Sequence, residues 1–428
     1  MNALQAKQSA TAAILEGVEL PSGAGWIEQI RRAALDRVLQ DGLPSRRDEY
    51  WKYTRPESLT LKDALPAEPF EHDEAPVFGE VDRLKIVFVD GVFDAAASDA
   101  FEGEGLTIER LADVAKTDIH WAKDLYGALE AKGQTPVQRP LAAFNTAMAT
   151  DGIVIRVTGN VTRPVSLVYQ HKDTHSDAML HHVIKVEEGA KLTLLENGPA
   201  AARFNKVLEV DVADKAEFHH VRAQGRDHQR RAATHIFGQL ATESVFKSFT
   251  VTVNGVLTRN DCVLELTGDD AIAHVAGACV GDGDFHHDDT VFVTHDAQRC
   301  ESRQVFKKVL RNGATGVFQG KILVKPDAQK TDGYQISQSL LLDEDSQFLA
   351  KPELEIYADD VACSHGSTSG AIDEEGLFYL RARGVPQGIA TDLLTLAFLA
   401  EAVEEIEADE LADEILTRLE GWLERRRG

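Results

Sequence analysis

The stretch EEGAKLTLLE, residues 187–196, decides the fold because its pattern returns along the chain. It combines a turn, one small residue and alternating apolar positions, which is typical of a strand with one buried face. Five further stretches share the pattern: VADKAEFHHV (212–221), ATESVFKSFTV (241–251), GDDAIAHVAGA (268–278), RNGATGVFQGKI (311–322) and DEDSQFLAKPELEI (343–356). The small residues are spaced 26, 28, 27, 43 and 32 positions apart, and are Ala190, Ala216, Ser244, Ala271, Ala314 and Ser346. We therefore expect one insertion, in the fourth interval.

A repeat of this length is typical of stacked coils, none of which can bury its apolar face alone. The pattern therefore favours a mainly β protein with a parallel β-helix at its core. A large β-sandwich or a double-stranded barrel of the cupin type stays open, because both are also built from many short strands.

Three segments differ in their residue pattern. Residues 1–150 mix helical and extended stretches, among them a helix predicted over 26–40 and a hairpin predicted at LKIVFVDGVF (84–93), where an Asp-Gly pair marks the turn. Residues 151–372 carry the short β-branched runs of the predicted solenoid. Residues 373–428 show helical periodicity and are predicted to form a small helical domain.

The charge excludes several kinds of partner. The chain has 45 Lys and Arg against 70 Asp and Glu, a net charge of −25. Binding to nucleic acid or to an anionic membrane needs a basic surface, so neither is expected. Four cysteines in 428 residues do not form a disulfide framework. The N-terminal residues lack a signal-peptide pattern and no apolar run is long enough to span a membrane, so we expect a cytoplasmic protein.

Histidine doublets occur at three places in the β segment, at 181–182, 219–220 and 286–287. Successive residues of a strand point to opposite faces, so each doublet supplies at most one histidine to a face. These histidines are interpreted either as surface residues or as transient metal contacts. The sequence HHDD at 286–289 allows the same two interpretations, a calcium- or iron-like site or a solvated loop.

The segment DDVACSHGSTSG (359–370) offers a second candidate for metal chemistry. Cys363 and His365 are two residues apart and would share one face of a strand. A thiolate and an imidazole suit iron or zinc, but two ligands leave a site incomplete. The alternative is a buried cysteine beside a structural histidine. Cys300 shows no local ligand pattern, and we expect Cys262 and Cys279 to be buried in strands.

Several motifs, in order along most of the chain, resemble the SufB/SufD family of iron–sulfur cluster assembly proteins, and its SufD branch in particular. They are DEYWKYTRPESL (48–59), CESRQVFKKVL (300–310), GVFQGKILV (316–324), AQKTDGYQISQSLLL (328–342) and KPELEIYADDVACSHGSTSGAIDEEGLFYLRARGVP (351–386). The last of these is the most specific.

The resemblance implies a right-handed parallel β-helix core between an N-terminal α/β domain and a C-terminal helical domain. It implies a non-catalytic scaffold that pairs with SufB through the β-helix and binds the ABC-type ATPase SufC through the C-terminal helices. It further implies that Cys363 and His365 hold a transient iron or iron–sulfur cluster shared with SufB, that the chain supports iron acquisition, and that the isolated chain holds no cofactor tightly and can form a homodimer.

Two other classes stay open from the residues alone. One is a β-solenoid enzyme acting on carbohydrate, and the other is a metal-dependent enzyme of the cupin type that uses the HHDD region.

Overall fold

Two mostly parallel sheets, wound from one stretch of chain, form the centre of the molecule. The coordinates are a computed structural model that describes residues 3–70, 76–225 and 228–425. The chain alternates between the sheets and so builds a parallel β-solenoid of about seven turns. In spatial order sheet A contains β2 (Val92–Phe93), β1 (Leu84–Val89), β5 (Val165–Gln170), β7 (Lys191–Asn197), β9 (Glu217–Gln224), β11 (Val245–Val253), β13 (Ile272–Asp282), β15 (Glu301–Arg311), β17 (Asp332–Leu341) and β19 (Ala362–Gly370).

Sheet B is built in the same way from the intervening strands. In spatial order it contains β3 (Leu106–Arg110), β4 (Ile153–Val157), β6 (Asp177–Val186), β8 (Arg203–Val212), β10 (Arg231–Leu240), β12 (Leu257–Leu266), β14 (His286–His295), β16 (Thr315–Val324) and β18 (Gln347–Ile356). Among the described strands, only β1 with β2 and β3 with β4 pair antiparallel. The parallel ladders confirm the β-helix prediction and contradict the cupin alternative, whose strands would pair antiparallel.

The prediction of an insertion in the fourth interval of the repeat is wrong. In sheet A, from β9 onward, the backbone N–H that opens each strand donates to the carbonyl of the residue at the small-residue position one turn earlier, as from Ile272 to Ser244 (2.9 Å). Cys300 and Thr331 continue this series, with Asp332 donating to the Cys300 carbonyl at 3.0 Å. Ala314 and Ser346 precede strands of sheet B instead, and the Gln347 N–H donates to the Ala314 carbonyl (3.0 Å). The interval of 43 residues is therefore a turn and a half of uninterrupted solenoid.

Apolar side chains fill most of the space between the sheets. Leu192, Phe218 and Phe246 stack along sheet A and face Leu208 and Ile236 of sheet B, all of them buried. Because consecutive turns keep their register residue for residue, each inward position meets its equivalent one turn away. This stacking buries a continuous core that no single turn could supply.

Helices lie outside the two sheets, and most of them pack against the outer faces. They are α1 (Ala3–Ile14), α2 (Gly25–Asp41), α3 (Glu57–Thr60), α4 (Leu111–Val114), α5 (Ala128–Lys132), α6 (Pro140–Met148), α7 (Glu374–Ala382), α8 (Gln387–Val403) and α9 (Asp409–Arg425). Ile27 of α2 packs in one cluster with Val183 and Phe237 of sheet B. Leu399 of α8 and Ile415 of α9 pack on the outer face of sheet A.

The local predictions for the N-terminal segment hold. Helix α2 spans the segment predicted as helical, and the predicted hairpin forms with Phe88 opposite Phe93. Asp90 and Gly91 occupy its turn with φ of 50° and 82°, a conformation that Asp-Gly tolerates. The domain limits at residues 150 and 372 stay a prediction. No helix in the described ranges is long and apolar enough to cross a membrane.

Candidate functional site

The solenoid ends at two strands whose outer edges are exposed. β18 pairs only with β16, and β19 only with β17, within the described part of the chain. Most residues of β19 are exposed, whereas the strands of the central turns are largely buried. A row of backbone N–H and C=O groups is therefore free to pair at each edge.

Cys363 and His365 lie on the inward-pointing side of β19. In register, Cys363 lies beside Gly333 and His365 beside Gln335, and the latter continues the fully buried inner position of Gln304. The prediction that the two residues share one face is confirmed. No further turn covers them, so the pair points to the open end of the solenoid.

Cys363 is half-buried and His365 is exposed. The cysteine packs at the margin of a small apolar cluster that includes Ile322 and Val324. Burial raises the pKa of the Cys363 thiol, and the Asp332 carboxylate adds to the rise, while the backbone N–H of Gly333 acts against it. The raised pKa favours the protonated thiol at neutral pH, and a bound metal cation would favour the thiolate.

The ligand pair is incomplete within the chain. Among the described residues, the one cluster of three metal-ligating side chains is Glu217, His219 and Glu407, on the outside of sheet A. The ammonium groups of Lys191 and Lys247 lie 2.7 Å and 3.1 Å from carboxylate oxygens of this cluster, so its charge is already balanced. Cys363 and His365 are not part of any such cluster among the described residues, so a metal held by this pair would need further ligands.

Polar side chains continue inward from the pair, where the sequence pattern had predicted an apolar interior. Gln335 donates to Gln304 (2.8 Å) one turn below His365. Lys308, on the same inner face of β15, donates to Asp289 at 2.6 Å and lies 3.0 Å from Nδ1 of His287. Gln304, Gln335, Lys308 and His287 are essentially inaccessible to solvent. Asp289 is 5% exposed.

A second buried polar cluster lies deeper in the solenoid, centred on Glu196. This carboxylate accepts from Lys206 and from Tyr169 (2.8 Å), and it lies 2.8 Å from Nε2 of His220. Sequence reasoning missed it. The available signal was a charged residue at an inward position of a strand, as Glu196 is two places after the buried Leu194.

The histidine doublets divide between the two faces, as predicted. The second member of each, His182, His220 and His287, points inward and is fully buried. Burial lowers the pKa of His182 to about 3 and that of His220 to about 4. The interpretation as surface histidines is wrong for these three, because the inward positions that they occupy in the covered turns of the solenoid are closed to solvent.

The HHDD segment does not converge on one site, because its residues alternate between the faces of β14. Asp288 points outward and accepts from Arg259 (2.7 Å) and Thr54 (2.5 Å). Asp289 points inward to Lys308. Each carboxylate is thus paired with its own cation, and a cupin-type metal site is not formed.

The remaining cysteines are buried, as predicted for Cys262 and Cys279. Burial raises the pKa of both thiols to about 12, which makes them poor ligands and nucleophiles at neutral pH. Cys300 occupies the small-residue position before β15 and its thiol donates to the Gly268 carbonyl (3.3 Å).

These features define a parallel β-solenoid protein with an incomplete thiol–imidazole pair at its open end. A sequence profile of the SUF system FeS cluster assembly SufBD core domain matches residues 169–398, and one of the SufBD protein N-terminal region matches residues 21–167. The chain belongs to the SufBD family. It is 28% identical to the iron–sulfur cluster assembly protein SufD of Escherichia coli, over 90% of both chains. A SufBD family protein of Synechocystis is 27% identical over 88% of this chain and 86% of its own, and SufD of Bacillus subtilis is 26% identical over 66% and 67%. The resemblance seen in the sequence is confirmed.

Proposed function

We propose that this chain is the non-catalytic SufD-type scaffold subunit of a SUF assembly complex and that Cys363 and His365 hold part of a nascent cluster at the interface with SufB. One observation carries the proposal: the pair shares the inward side of the terminal strand, at an exposed end, and the described residues supply no third ligand. Family membership supports a role in iron–sulfur cluster assembly.

The chemistry of Cys363 and His365 suits reversible binding of iron or of a nascent cluster. Thiolate and imidazole are both ligands for iron, and two ligands from one chain hold it less firmly than a closed set of four. Because the thiol is protonated beforehand, binding of iron releases a proton, and acidification favours release. This incompleteness also explains why the isolated chain would hold no cluster tightly.

The exposed edges of β18 and β19 suit pairing with the corresponding strands of SufB. Addition of a partner strand would satisfy their free backbone groups and would place the partner's ligands next to Cys363. Tyr357, which follows β18, is 64% exposed and adds apolar contact area at this end. In the absence of SufB the same edges would pair with a second copy of this chain.

The C-terminal helices offer a separate surface for the ATPase SufC. Helix α7 has no buried residue, and its Phe378 and Tyr379 are 75% and 57% exposed. Ile389 and Leu393 of α8 add exposed apolar side chains beyond it. Aromatic residues are enriched at protein interfaces, so this surface, which we call the α7–α8 surface, is the proposed docking site.

Purification through a tag on this chain, after co-expression with SufB and SufC under anaerobic conditions, tests the proposal. We expect a cytoplasmic complex of one copy of this chain, one SufB and two SufC, measured by light scattering and denaturing gels. Recovery of the chain without either protein, or calcium-dependent cleavage of a polysaccharide by the chain alone, would contradict the scaffold role.

A further inference from the structure

A cavity of about 410 Å³ lies between the outer face of sheet B and two segments that cross it. One segment is 48–51 and the other is the loop 134–139, which leads into α6. The floor is a row of side chains in register on β10, β12 and β14, namely His235, Asp261 and Thr290. Volumes of about 300–1,000 Å³ are usual for sites that hold a small molecule. None of the residues that line the cavity belongs to β19, the strand of Cys363.

Arg139 lines this cavity and is the group that stands out chemically. The residue is only 5% exposed. Its Nη1 donates to the backbone carbonyls of Gly133 (2.5 Å) and Val137 (2.8 Å), and its guanidinium lies 4.7 Å from the ring centre of Phe292. Nε and Nη2 are buried and have no hydrogen-bond partner in the described part of the chain. Burial of a cation with two N–H donors that lack acceptors lowers the stability of the fold, unless a bound group accepts from them.

The other charges of the cavity are already matched. Arg259 pairs with Asp261 (3.1 Å) and with Asp288 (2.7 Å), and its guanidinium stacks on Trp51 at 4.2 Å. The described residues provide no carboxylate within 4 Å of Arg139. Burial lowers the pKa of Arg139 to about 10, although Asp261 acts in the opposite direction. Arg139 therefore has no close ion pair of its own in the described part of the chain, and Asp261 acts on its charge only from a distance.

We propose that this cavity binds a small molecule bearing a phosphate or carboxylate group, which accepts from Nε and Nη2 of Arg139. These two donors lie on one edge of the guanidinium and match two oxygens of such a group. The His235 ring, whose pKa burial lowers to about 4, is neutral and adds a polar contact without charge, as does the Thr290 hydroxyl. Trp51 and Tyr50 give the rest of the ligand an aromatic wall. The inference does not depend on the proposed cluster chemistry.

Anion titrations of the full chain test this site. Inorganic phosphate and citrate are each added at constant ionic strength, with chloride as the balance, and affinity is taken from calorimetry and from the shift in melting temperature. We expect saturable binding of at least one of the two anions, weakened about tenfold or more in Arg139→Gln, because two charge-assisted hydrogen bonds are lost. The matched control Arg299→Gln removes an exposed arginine paired with Asp269 and Asp270 and is expected to bind as the wild type does.

The pattern of responses identifies the ligand class. Binding of phosphate alone indicates a phosphate group, and binding of citrate alone indicates a carboxylate. Absence of saturable binding by either, or equal affinity in Arg139→Gln and the wild type, would overturn the proposal. If Arg139→Gln does not fold, a crystal of the wild type soaked in selenate decides: an anomalous peak within hydrogen-bond distance of Nε and Nη2 supports the site, and a map without one overturns it.

Discussion

At the scale of single residues, buried charge is the main feature of this solenoid. Glu196 is fully buried beside Lys206, His220 and Tyr169. Although burial alone would raise it, the pKa of Glu196 lies well below its usual range, because Lys206 and His220 favour the charged form. The carboxylate is therefore a structural ion that holds several turns in one arrangement.

We expect Glu196→Ala to lower the free energy of unfolding by about 3–5 kcal/mol, because Lys206 is then buried without a countercharge. Urea denaturation followed by circular dichroism measures this. The double variant Glu196→Ala, Lys206→Met is expected to recover most of the loss. Ala at the exposed Glu188 serves as the control and should change stability by less than about 0.5 kcal/mol. An equal loss in the single and double variants would contradict the ion-pair account.

The inward histidines make stability depend on pH. Burial lowers the pKa of His182 to about 3 and that of His220 to about 4, from the usual 6.5 of an unfolded chain. Below pH 6.5 the unfolded chain takes up protons that the folded chain does not, so this contribution to stability is complete above 6.5 and declines as the pH falls towards 4. Urea denaturation at pH 7.5 and 5.5 should show the decline. It should be smaller in His220→Gln and unchanged in His175→Gln, which alters an exposed histidine. A stability equal at both pH values would argue against neutral buried histidines.

Gly333 sets the position of the Cys363 thiol. A Cβ added at Gly333 would lie 3.2 Å from Sγ of Cys363, whereas one added at Gly366 meets nothing within 4 Å. We therefore expect Gly333→Ala to reduce cluster assembly in the SUF complex while both ligands remain, and Gly366→Ala to leave it unchanged. Bound iron and acid-labile sulfide are the readout. Equal yields in the two variants would show that the orientation of the thiol does not matter.

Sequence reasoning reached some of these residues and not others. The alternation of strand side chains correctly separates the members of each histidine doublet. The partners could not be predicted in the same way, because Glu196 lies 24 residues before His220, and only the register between turns brings them together.

At the scale of elements, the sequence showed the repeat but not which of its copies precede strands of sheet A and which precede strands of sheet B. Two equivalent turn positions carry Cys300 and Thr331 in place of Ala or Ser, which hid two members of the sheet A series. Ala314 and Ser346 showed the same pattern in sheet B. Because both sheets use a turn, a small residue and alternation, local sequence does not tell which sheet a strand joins.

The C-terminal helices combine a fixed side and a free side. Glu405, after α8, lies 2.7 Å from Arg303 and 3.2 Å from His274 of sheet A, and Lys247 pairs with Glu407 (3.1 Å). The α7–α8 surface faces away with Phe378 exposed. This arrangement presents α7 on a firmly attached support.

We expect Phe378→Ser to weaken binding of SufC by about tenfold or more, because exposed aromatic side chains at the centre of an interface carry much of its affinity. Calorimetric titration of this chain with SufC measures it. Ile119→Ser is the matched control, since Ile119 is 85% exposed on a distant loop and should not affect binding. Both variants should keep the melting temperature of the wild type. Unchanged affinity in Phe378→Ser would place the SufC contact elsewhere.

At the scale of the whole molecule, an N-terminal motif ties the turns together. Residues 48–54 cross the outer face of sheet B, where Trp51 stacks on Arg259 of β12. Tyr50 donates to Glu353 of β18, and Lys351 lies 3.8 Å above the Tyr50 ring. The segment thus reaches from the middle of the solenoid to its last turn. The sequence suggested its importance only through a family resemblance, since nothing local predicts contacts about 300 residues away.

The net charge of −25 is a property of the whole surface and not of one site. Acidic residues are spread through all three segments and do not mark the ligand pair, whose nearest charged neighbour of note is Asp332. The charge supports solubility and disfavours nucleic acid as a partner. The net charge carries no information about Cys363 and His365. These two residues are recognised from the family-like motif at 351–386 that contains them.

The central claim is that this chain lends Cys363 and His365 to a cluster shared with SufB. Its most direct measurement is the iron and acid-labile sulfide bound per complex, purified anaerobically with SufB and SufC, for the wild type, Cys363→Ala, His365→Ala and the control Thr368→Ala, an exposed residue of the same strand. We predict normal folding and complex composition for all four, because the residues lie at the exposed end of the solenoid. Cluster content should fall severalfold in Cys363→Ala and His365→Ala and stay unchanged in Thr368→Ala. Equal iron and sulfide in all four complexes would contradict the account.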